Sequence, residues 1–324
     1  MNETPPPKFH LDWNLLRTFA VIVQCQGISR AAAALNLTQP AISSALRRLE
    51  EQVGHQLIRR GGTVFDVTAE GRLLYRESQE ILVRISRINE VLSDTSEEIR
   101  GVIKLAVASH VVFPFLDRLL KDFHDKYPNV RYQIEVDKSA HIAESLLMNT
   151  VTAGICLVYQ EHEKLEYQHF FTEYFGLFCG KEHRYFGQDD IAVKDICKEN
   201  FVSFQTDQMD DALWPVALMR NQNRMTGKIV GTSPNLEEVR RLITAGIGIG
   251  PLPIHSVEVD VERGLLWQLP PYSDTPSVDV YVCTNPSCRY SRAESLFLDF
   301  LINSIALLTE EKKKLPQNPK QITT

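Results

Sequence analysis

The 324-residue sequence is short of several things, and each shortage removes a class of protein. No apolar run approaches the roughly 18 residues that a membrane-spanning helix needs. The opening stretch, MNETPPPKFHLDW, has neither an apolar core nor a small-residue cleavage site, so no secretory leader is expected. Cysteine is sparse and scattered, at Cys25, Cys156, Cys179, Cys197, Cys283 and Cys288. In a chain this long such thiols do not make a disulfide framework, which fits a reduced, cytoplasmic setting. Cys283 and Cys288 stand nearest in sequence, but no second Cys or His pair completes a zinc spacing, and no metal or other cofactor is expected. Basic residues are also in deficit, 35 Lys plus Arg against 41 Asp plus Glu, for a net charge of −6. Taken over the whole chain, that balance argues against nucleic acid as a partner.

What is present overturns that last inference locally. A 44% hydrophobic, 23% charged composition is that of a globular protein, and the length calls for more than one core. Between Trp13 and Arg60, six arginines (Arg17, Arg30, Arg47, Arg48, Arg59 and Arg60) face only Glu50 and Glu51, a local balance of +4. The remainder is acidic. A helical pattern runs from about Ala69 to Leu92 and is broken by SDTSEEIRG, after which strand-like runs such as VIKLAVA begin. The tail from Glu310 has clustered charge, two prolines and no apolar period. The expected organisation is therefore a module at 1–68, a linker helix at 69–94 and a hinge at 95–101. A larger domain follows at 102–309, with a flexible tail at 310–324.

In the first module, Leu15, Leu16, Phe19, Ile22 and Val23 recur at helical spacing. Ser29 is placed to cap a second helix, SRAAAAL, whose alanines permit close packing. Thr38 is placed to cap a third, QPAISSALRRLEEQV, with Pro40 tolerated in its first turn. That third helix turns Ile42, Ala45, Leu46, Leu49 and Val53 inward. Its outward rows carry Gln39, Ser43 and Arg47 beside Pro40, Ser44 and Arg48, with no carboxylate before Glu50. An amide, hydroxyls and guanidinium groups on one face suit base edges and phosphates in a major groove, although such a face is also an ordinary solvated one. Next, IRRGGTVFDV reads as a basic turn and a short strand, a wing beside the helices.

From Leu15 to Gly71 the residues resemble the winged helix-turn-helix of LysR-type transcriptional regulators. The elements LLRTFAVIV, ISRAAAALNLTQPAISSALRRLEEQVG, QLIRR and VTAEG follow the family's order without gaps. The resemblance implies base reading by Thr38, Gln39, Pro40 and Ser43, and a wing contact by Arg60. Ser29, Arg30, Ser44, Arg47 and Arg48 complete the expected DNA-contacting set. The sequence departs from the family at Ser44, where Arg is common, at Ile58, where Phe is usual, and at Thr63, where some members carry a second wing Arg. In the linker, Leu74, Ser78, Ile81, Ile85, Ile88 and Leu92 alternate at spacings of four and three, a two-position heptad stripe weakened at Ser78. A helix of ~24 residues spans about 36 Å and outruns one small domain. Leu74, Ile81, Ile85, Ile88 and Leu92 are therefore expected to pair with a second copy. The family implies a dimer that doubles to a tetramer on double-stranded promoter DNA, with RNA polymerase a candidate further partner.

Beyond Gly101, strands and helices alternate, which predicts an α/β fold with parallel sheets. The stretch SPNLEEVRRLITAGIGIGPLP resembles the effector domain of the same family, which looks like a periplasmic binding protein of two subdomains. These are expected at 102–174 plus 273–309 and at 175–272. A small-molecule effector would sit between them, at strand ends facing helix N-termini, where free amides favour a carboxylate or another small anion. The resemblance makes Ser109 the leading contact. His110, Ser139, Gln205, Thr206 and Ser233 follow on position, and each serine or threonine also reads as an ordinary cap. Two alternatives stay open. One is a redox switch, for which Cys197 is the nearest candidate. The other is an enzyme on the α/β module, for which no nucleophile elbow, zinc motif or phosphate loop is found, so catalytic residues are expected to be none.

Overall fold

The computed structural model describes residues 11–59, 65–93 and 98–316. The chain divides into two units, Met1–Ser93 and Asp94–Thr324. Among the described residues no helix is long and apolar enough to cross a membrane.

The first unit is a three-helix core with a wing. Helix α1 (Trp13–Gln24) starts where the Asp12 carboxylate accepts the Asn14 amide at 2.9 Å, and it buries Leu15, Leu16, Phe19 and Ile22. Helix α2 (Ile28–Ala34) turns Ala31 and Ala32 into that core, and α3 (Gln39–Val53) adds Ile42, Leu46 and Leu49. Thr38 caps α3 by accepting the Ala41 amide, and Gly54 ends it in the left-handed region at φ 73°. The Ser29 cap expected for α2 does not form. Gln26 takes a φ of 49°, the helix starts two residues sooner, and the Gly27 carbonyl accepts the first helical amide, from Ala31. Ser29 therefore sits inside the first turn. Strands β1 (Ile58–Arg59) and β2 (Asp66–Val67) pair antiparallel as the base of the wing. Thr68 then opens α4 (Ala69–Ser93): its hydroxyl accepts the Gly71 amide at 2.9 Å and donates to the Gln56 carbonyl. Gly71 is required there, since a Cβ would lie 2.2 Å from the Leu57 carbonyl oxygen.

The second unit has two lobes hung on one long strand. Lobe one contains β3 (Gly101–Val107), α5 (Pro114–Lys126), β4 (Val130–Val136), α6 (Ser139–Leu147) and β5 (Ala153–Leu157). Strand β6 (Glu166–Gly180) then leaves it. Lobe two contains α7 (Val193–Ile196), β7 (Phe201–Phe204), α8 (Trp214–Gln222), β8 (Ile229–Ser233), α9 (Leu236–Thr244) and β9 (Gly250–Pro253). A 3-10 turn (Ile254–Ser256), α10 (Glu258–Glu262) and β10 (Leu266–Leu269) complete it. The chain returns to lobe one as β11 (Ser277–Thr284), α11 (Arg292–Ala306) and α12 (Glu310–Lys313). Glu166–Tyr174 of β6 pair with β11, whereas Phe175–Gly180 pair with β9 and β10, so the partners change between Tyr174 and Phe175.

Three features differ from the sequence expectation. The sheet is mixed: β3 pairs parallel with β4 and β5, but β11 is antiparallel to both β5 and β6. The reason is that β11 enters lobe one from lobe two, against the direction of the crossing strand. The first half of β6, EYQHFFTE, was not predicted as a strand, because its polar residues interrupt the apolar pattern. The tail from 310 is also ordered at its start, since Thr172 of β6 offers its carbonyl to the Leu315 amide at 3.0 Å.

Lobe two carries a buried ion pair. Asp207 is fully buried, accepts the Ser203 hydroxyl and lies 3.0 Å from the Arg220 guanidinium. Burial pushes its carboxyl up to about 6, with Ser203 and Arg220 pulling the other way. Removing one partner from such a pair strands the other charge. Arg220→Ala is therefore expected to cost about 3 kcal/mol or more, read as a lower urea midpoint of the full chain. An unchanged midpoint would contradict this account of lobe two.

Candidate functional site

The first unit separates its core from its polar face. Ile42, Leu46 and Leu49 fill the inner side of α3, while Thr38, Gln39, Pro40, Ser44, Arg47 and Arg48 are exposed and Ser43 is half-buried. Ser29 and Arg30 are exposed on α2 beside it. A groove of about 670 Å³ runs between α2, α3 and the wing, and Gly27, Ser43, Ser44, Arg47 and Arg59 help to line it. Arg47 pairs with Glu51 at 2.9 Å and Arg48 lies 3.9 Å from Asp12, with side chains 73% and 61% exposed. Exposed pairs of that kind are worth about 0.2–1 kcal/mol, so either guanidinium is readily redirected to a phosphate. Arg59 pairs with Asp66 across the wing at 3.3 Å. The expected wing residue, Arg60, lies outside the described residues.

Of the linker stripe, Leu74 packs on the first core and Ile81 is 38% exposed. Ile85 is half-buried, and the side chains of Ile88 and Leu92 lie outside the described residues. Ser78, the break in the stripe, is buried, and its hydroxyl donates to the Leu74 carbonyl at 2.6 Å.

In the second unit the strand ends do converge between the lobes. Ser109 follows β3 in lobe one, and its hydroxyl accepts the Leu236 amide at 3.0 Å and donates to the Pro234 carbonyl at 3.0 Å in lobe two. Asn235 caps Glu237, and Ser233 accepts the Asn235 amide. The first two amides of α9, those of Leu236 and Glu237, are thus taken by protein groups. Gln205 lies at the same edge through a residue that sequence reasoning missed: Lys138 reaches across from lobe one to its carbonyl oxygen at 2.6 Å. Lys138 immediately precedes α6, and nothing in the local sequence pattern marks it. Thr206 is half-buried at the end of β7. Ser139 is separate. It lines a cavity of about 340 Å³ with Cys156, Tyr167, Asp210, Asp211 and Cys283.

His110 is buried beside Glu173, which in turn lies near His255, two groups that no local pattern marked. Its Nε2 lies 3.4 Å from Oε1 of Glu173, in the middle of β6, and Oε2 of Glu173 lies 4.0 Å from Nε2 of His255. The run of glycines before β9 is explained by packing: a Cβ at Gly250 would lie 2.2 Å from the Val202 carbonyl oxygen. The Cys197 sulfur lies 3.2 and 3.1 Å from the carbonyls of Val193 and Asn223, which share its one S–H. The thiols that do meet are Cys156 and Cys283, buried with their sulfurs 3.8 Å apart.

Comparison with known proteins agrees with this division. Residues 13–72 match the model of the bacterial regulatory helix-turn-helix protein, lysR family, and residues 96–306 match the LysR substrate binding domain. The chain is 24% identical over 298 residues to the RuBisCO operon transcriptional regulator of Allochromatium vinosum, covering 92% of this chain and 97% of that one. It is 26% identical over 301 residues to the HTH-type transcriptional activator BauR of Pseudomonas aeruginosa, covering 91% and 95%. Among solved structures, CbnR, a LysR family transcriptional regulator, gives a TM-score of 0.68 at 16% identity over 91% of this chain and 99% of that one. Full-length CbnR complexed with its target DNA gives 0.64 at 16% identity, over 91% and 100%. With a winged helix-turn-helix followed by a two-lobed substrate-binding domain, the chain belongs to the LysR family of DNA-binding transcriptional regulators.

Proposed function

We propose that α3 reads promoter DNA in the major groove and that the controlling effector is a small acid bound at the start of α9, between the lobes. Gln39 and Ser43 are the base-reading groups, with Thr38 and Pro40 at the groove edge. Arg47, Arg48 and Ser44 contact backbone, joined by Ser29 and Arg30 from α2 and by Arg60 from the wing. Structural likeness to a regulator in complex with its target DNA supports the docking of this helix. A single +4 head gives modest affinity, so the reading includes a dimer paired through α4, and a tetramer for avidity. The exposed Ile81 on that helix supports the pairing.

The observation that carries the effector reading is the Ser109 latch. One hydroxyl from lobe one satisfies the first amide of a lobe-two helix. An anion binding there replaces a neutral oxygen with a charged one, a hydrogen bond roughly twice as strong. Lys138 stands at the same edge to balance the charge. Ser233, Gln205 and Thr206 supply the remaining polar wall, while Ser139 lines the neighbouring cavity. Binding and release of the latch are then one event, and they alter how the lobes meet. That coupling carries the signal to the DNA-binding pairs.

Anisotropy on the gene's own upstream DNA tests the first half. Gln39→Ala should cost about 1–3 kcal/mol on the cognate site alone, whereas Arg47→Ala should weaken all DNA alike and reduce the salt slope by about one. Binding without sequence preference by the intact protein would sink this reading. Ile81→Glu with Ile85→Glu should yield a monomer in sedimentation and lose most DNA affinity. For the effector, a thermal-shift screen of the full chain against small carboxylates should find a stabilising acid. Ser109→Ala should then lose that response and keep DNA binding, at a stability cost of about 1 kcal/mol. If the variant responds as the parent does, the acid does not bind at the latch.

A further inference from the structure

The middle of the second unit holds three ionisable side chains with almost no polar company. His110 stands at the end of β3 in lobe one, Glu173 on the crossing strand, and His255 in the turn after β9 in lobe two. Glu173 is fully buried, and the side chains of His110 and His255 are 9% and 7% exposed. Nε2 of His110, both oxygens of Glu173 and both ring nitrogens of His255 make no hydrogen bond of good geometry, although the Val112 backbone lies near His255. Glu173 lies between the two histidines, and aromatic rings border them, with the Phe171 ring centroid 6.4 Å from that of His255 and 4.5 Å from that of Phe113.

Other charged groups on the surrounding elements are engaged elsewhere. His169 of β6 and Asp279 of β11 pair with each other beside Thr172, whose side chain points to the opposite face of the strand from Glu173. Asp260 of α10 and Glu237 of α9 both pair with Arg240. Asp117 of α5 is exposed, as is Glu238's partner Arg241. Tyr174, next along β6, is half-buried. The ionisation of the trio is therefore governed by burial and by its own members. Burial brings His110 and His255 down to about 4, with the charge of His255 adding to the effect at His110, and burial holds Glu173 well above its ordinary value.

We propose that His110, Glu173 and His255 form a binding site for a single proton at the junction of the lobes, which ties lobe-to-lobe contact to pH. This requires the lobes to move against each other, as the effector reading does, and does not require the effector to be an acid. A buried trio of one carboxyl and two imidazoles is neutral when it holds one proton. A second proton adds a buried positive charge, and loss of the first leaves a buried negative one. The distribution of that proton between Glu173 and the histidines leaves the count unchanged.

Proton counting sets the profile. When the lobes part and water enters, the side chains return towards their ordinary values, 6.5 for histidine and 4.5 for glutamate. The two histidines then carry about one proton between them near pH 6.5, the same count as the joined state. Above that pH the parted state binds fewer protons, so joining takes one up and weakens as pH rises. Below it the parted state binds more, so joining releases one and weakens as pH falls. Each limb approaches tenfold per pH unit.

Hydrogen exchange of the full chain tests this, read at the Leu236 amide that bonds across the junction to Ser109 and corrected for the intrinsic pH dependence of exchange. The parent should give a protection maximum near pH 6.5 that falls on both sides. Glu173→Gln should abolish the alkaline limb and keep the acid one. His110→Asn with His255→Asn should do the reverse. A flat parent profile between pH 5 and 8, or limbs that neither variant moves, would overturn the proposal. A second readout on the parent needs no variant to fold. With nine histidines in the chain, two should show no change of protonation by NMR between pH 8 and 5, and titration of all nine near 6.5 overturns the proposal equally. Neither measurement uses effector or DNA, so failure here is separable from failure of the Ser109 latch.

Discussion

Strand β6 must serve two lobes at once, and most of what is distinctive in the second unit follows from that. Because its partners change between Tyr174 and Phe175, the strand belongs to one sheet at its start and to another set of neighbours at its end. A continuous strand resists stretching and tolerates twist, so the lobes stay joined while their facing edges can move. Besides the buried groups that the crossing strand brings together, hydrogen bonds join those edges: Ser109 to Leu236 and Pro234, and Lys138 to Gln205. Each is worth about 1 kcal/mol, rising to about 3 where a charge takes part. Hydrogen bonds of that size are within reach of a ligand with modest preference for one arrangement.

The first unit solves a different problem, keeping its polar face independent of its core. Helix α3 buries Ile42, Leu46 and Leu49 on one side and is stopped at both ends by its own residues, Thr38 and Gly54. No outward side chain is needed to hold the helix in place. Arg47 and Arg48 rest in exposed pairs worth little by themselves, so a phosphate of the DNA backbone, which also accepts a charge-assisted bond, can replace either carboxylate. The whole-chain charge of −6 describes the larger unit and hides a head in which six arginines meet two glutamates.

Sequence reasoning reached what is written in local periods and missed what is assembled from distant segments. The stripe of α3 and its cap at Thr38 were legible because both ends of the pattern lie within one helix. The cap of α2 falls two residues before the expected Ser29, because the left-handed φ of Gln26 leaves no mark in the apolar period. Parallel strands were inferred from alternation with helices, a rule that holds for β3, β4 and β5 and fails for β11, which returns from the other lobe. Ser109 and Ser233 were found at strand ends next to helix starts. Lys138 was passed over, since only the approach of lobe two turns it into a bridge. Glu173 and His255 sit in a run of phenylalanines and after a proline-rich strand, and they acquire meaning only when β6 brings them to His110.

The expectation of an acidic effector began from free amides at a helix start, and the structure alters its basis. The first amides of α9 are already taken by Ser109 and Asn235. A free helix terminus could bind an anion and leave the lobes as they were, because nothing would be released. On the proposed reading an occupied one would not, since an anion taking the Leu236 amide would displace a hydroxyl that belongs to the opposite lobe. The exchange trades a neutral hydrogen bond for a charge-assisted one, a difference of about 1 kcal/mol or more, and Lys138 adds to it. That gain is small against a full binding energy, but it falls entirely on one side of the equilibrium. A ligand shifts a two-state element only by its differential affinity, and a latch made from the binding site itself converts nearly all of the local interaction into such a difference.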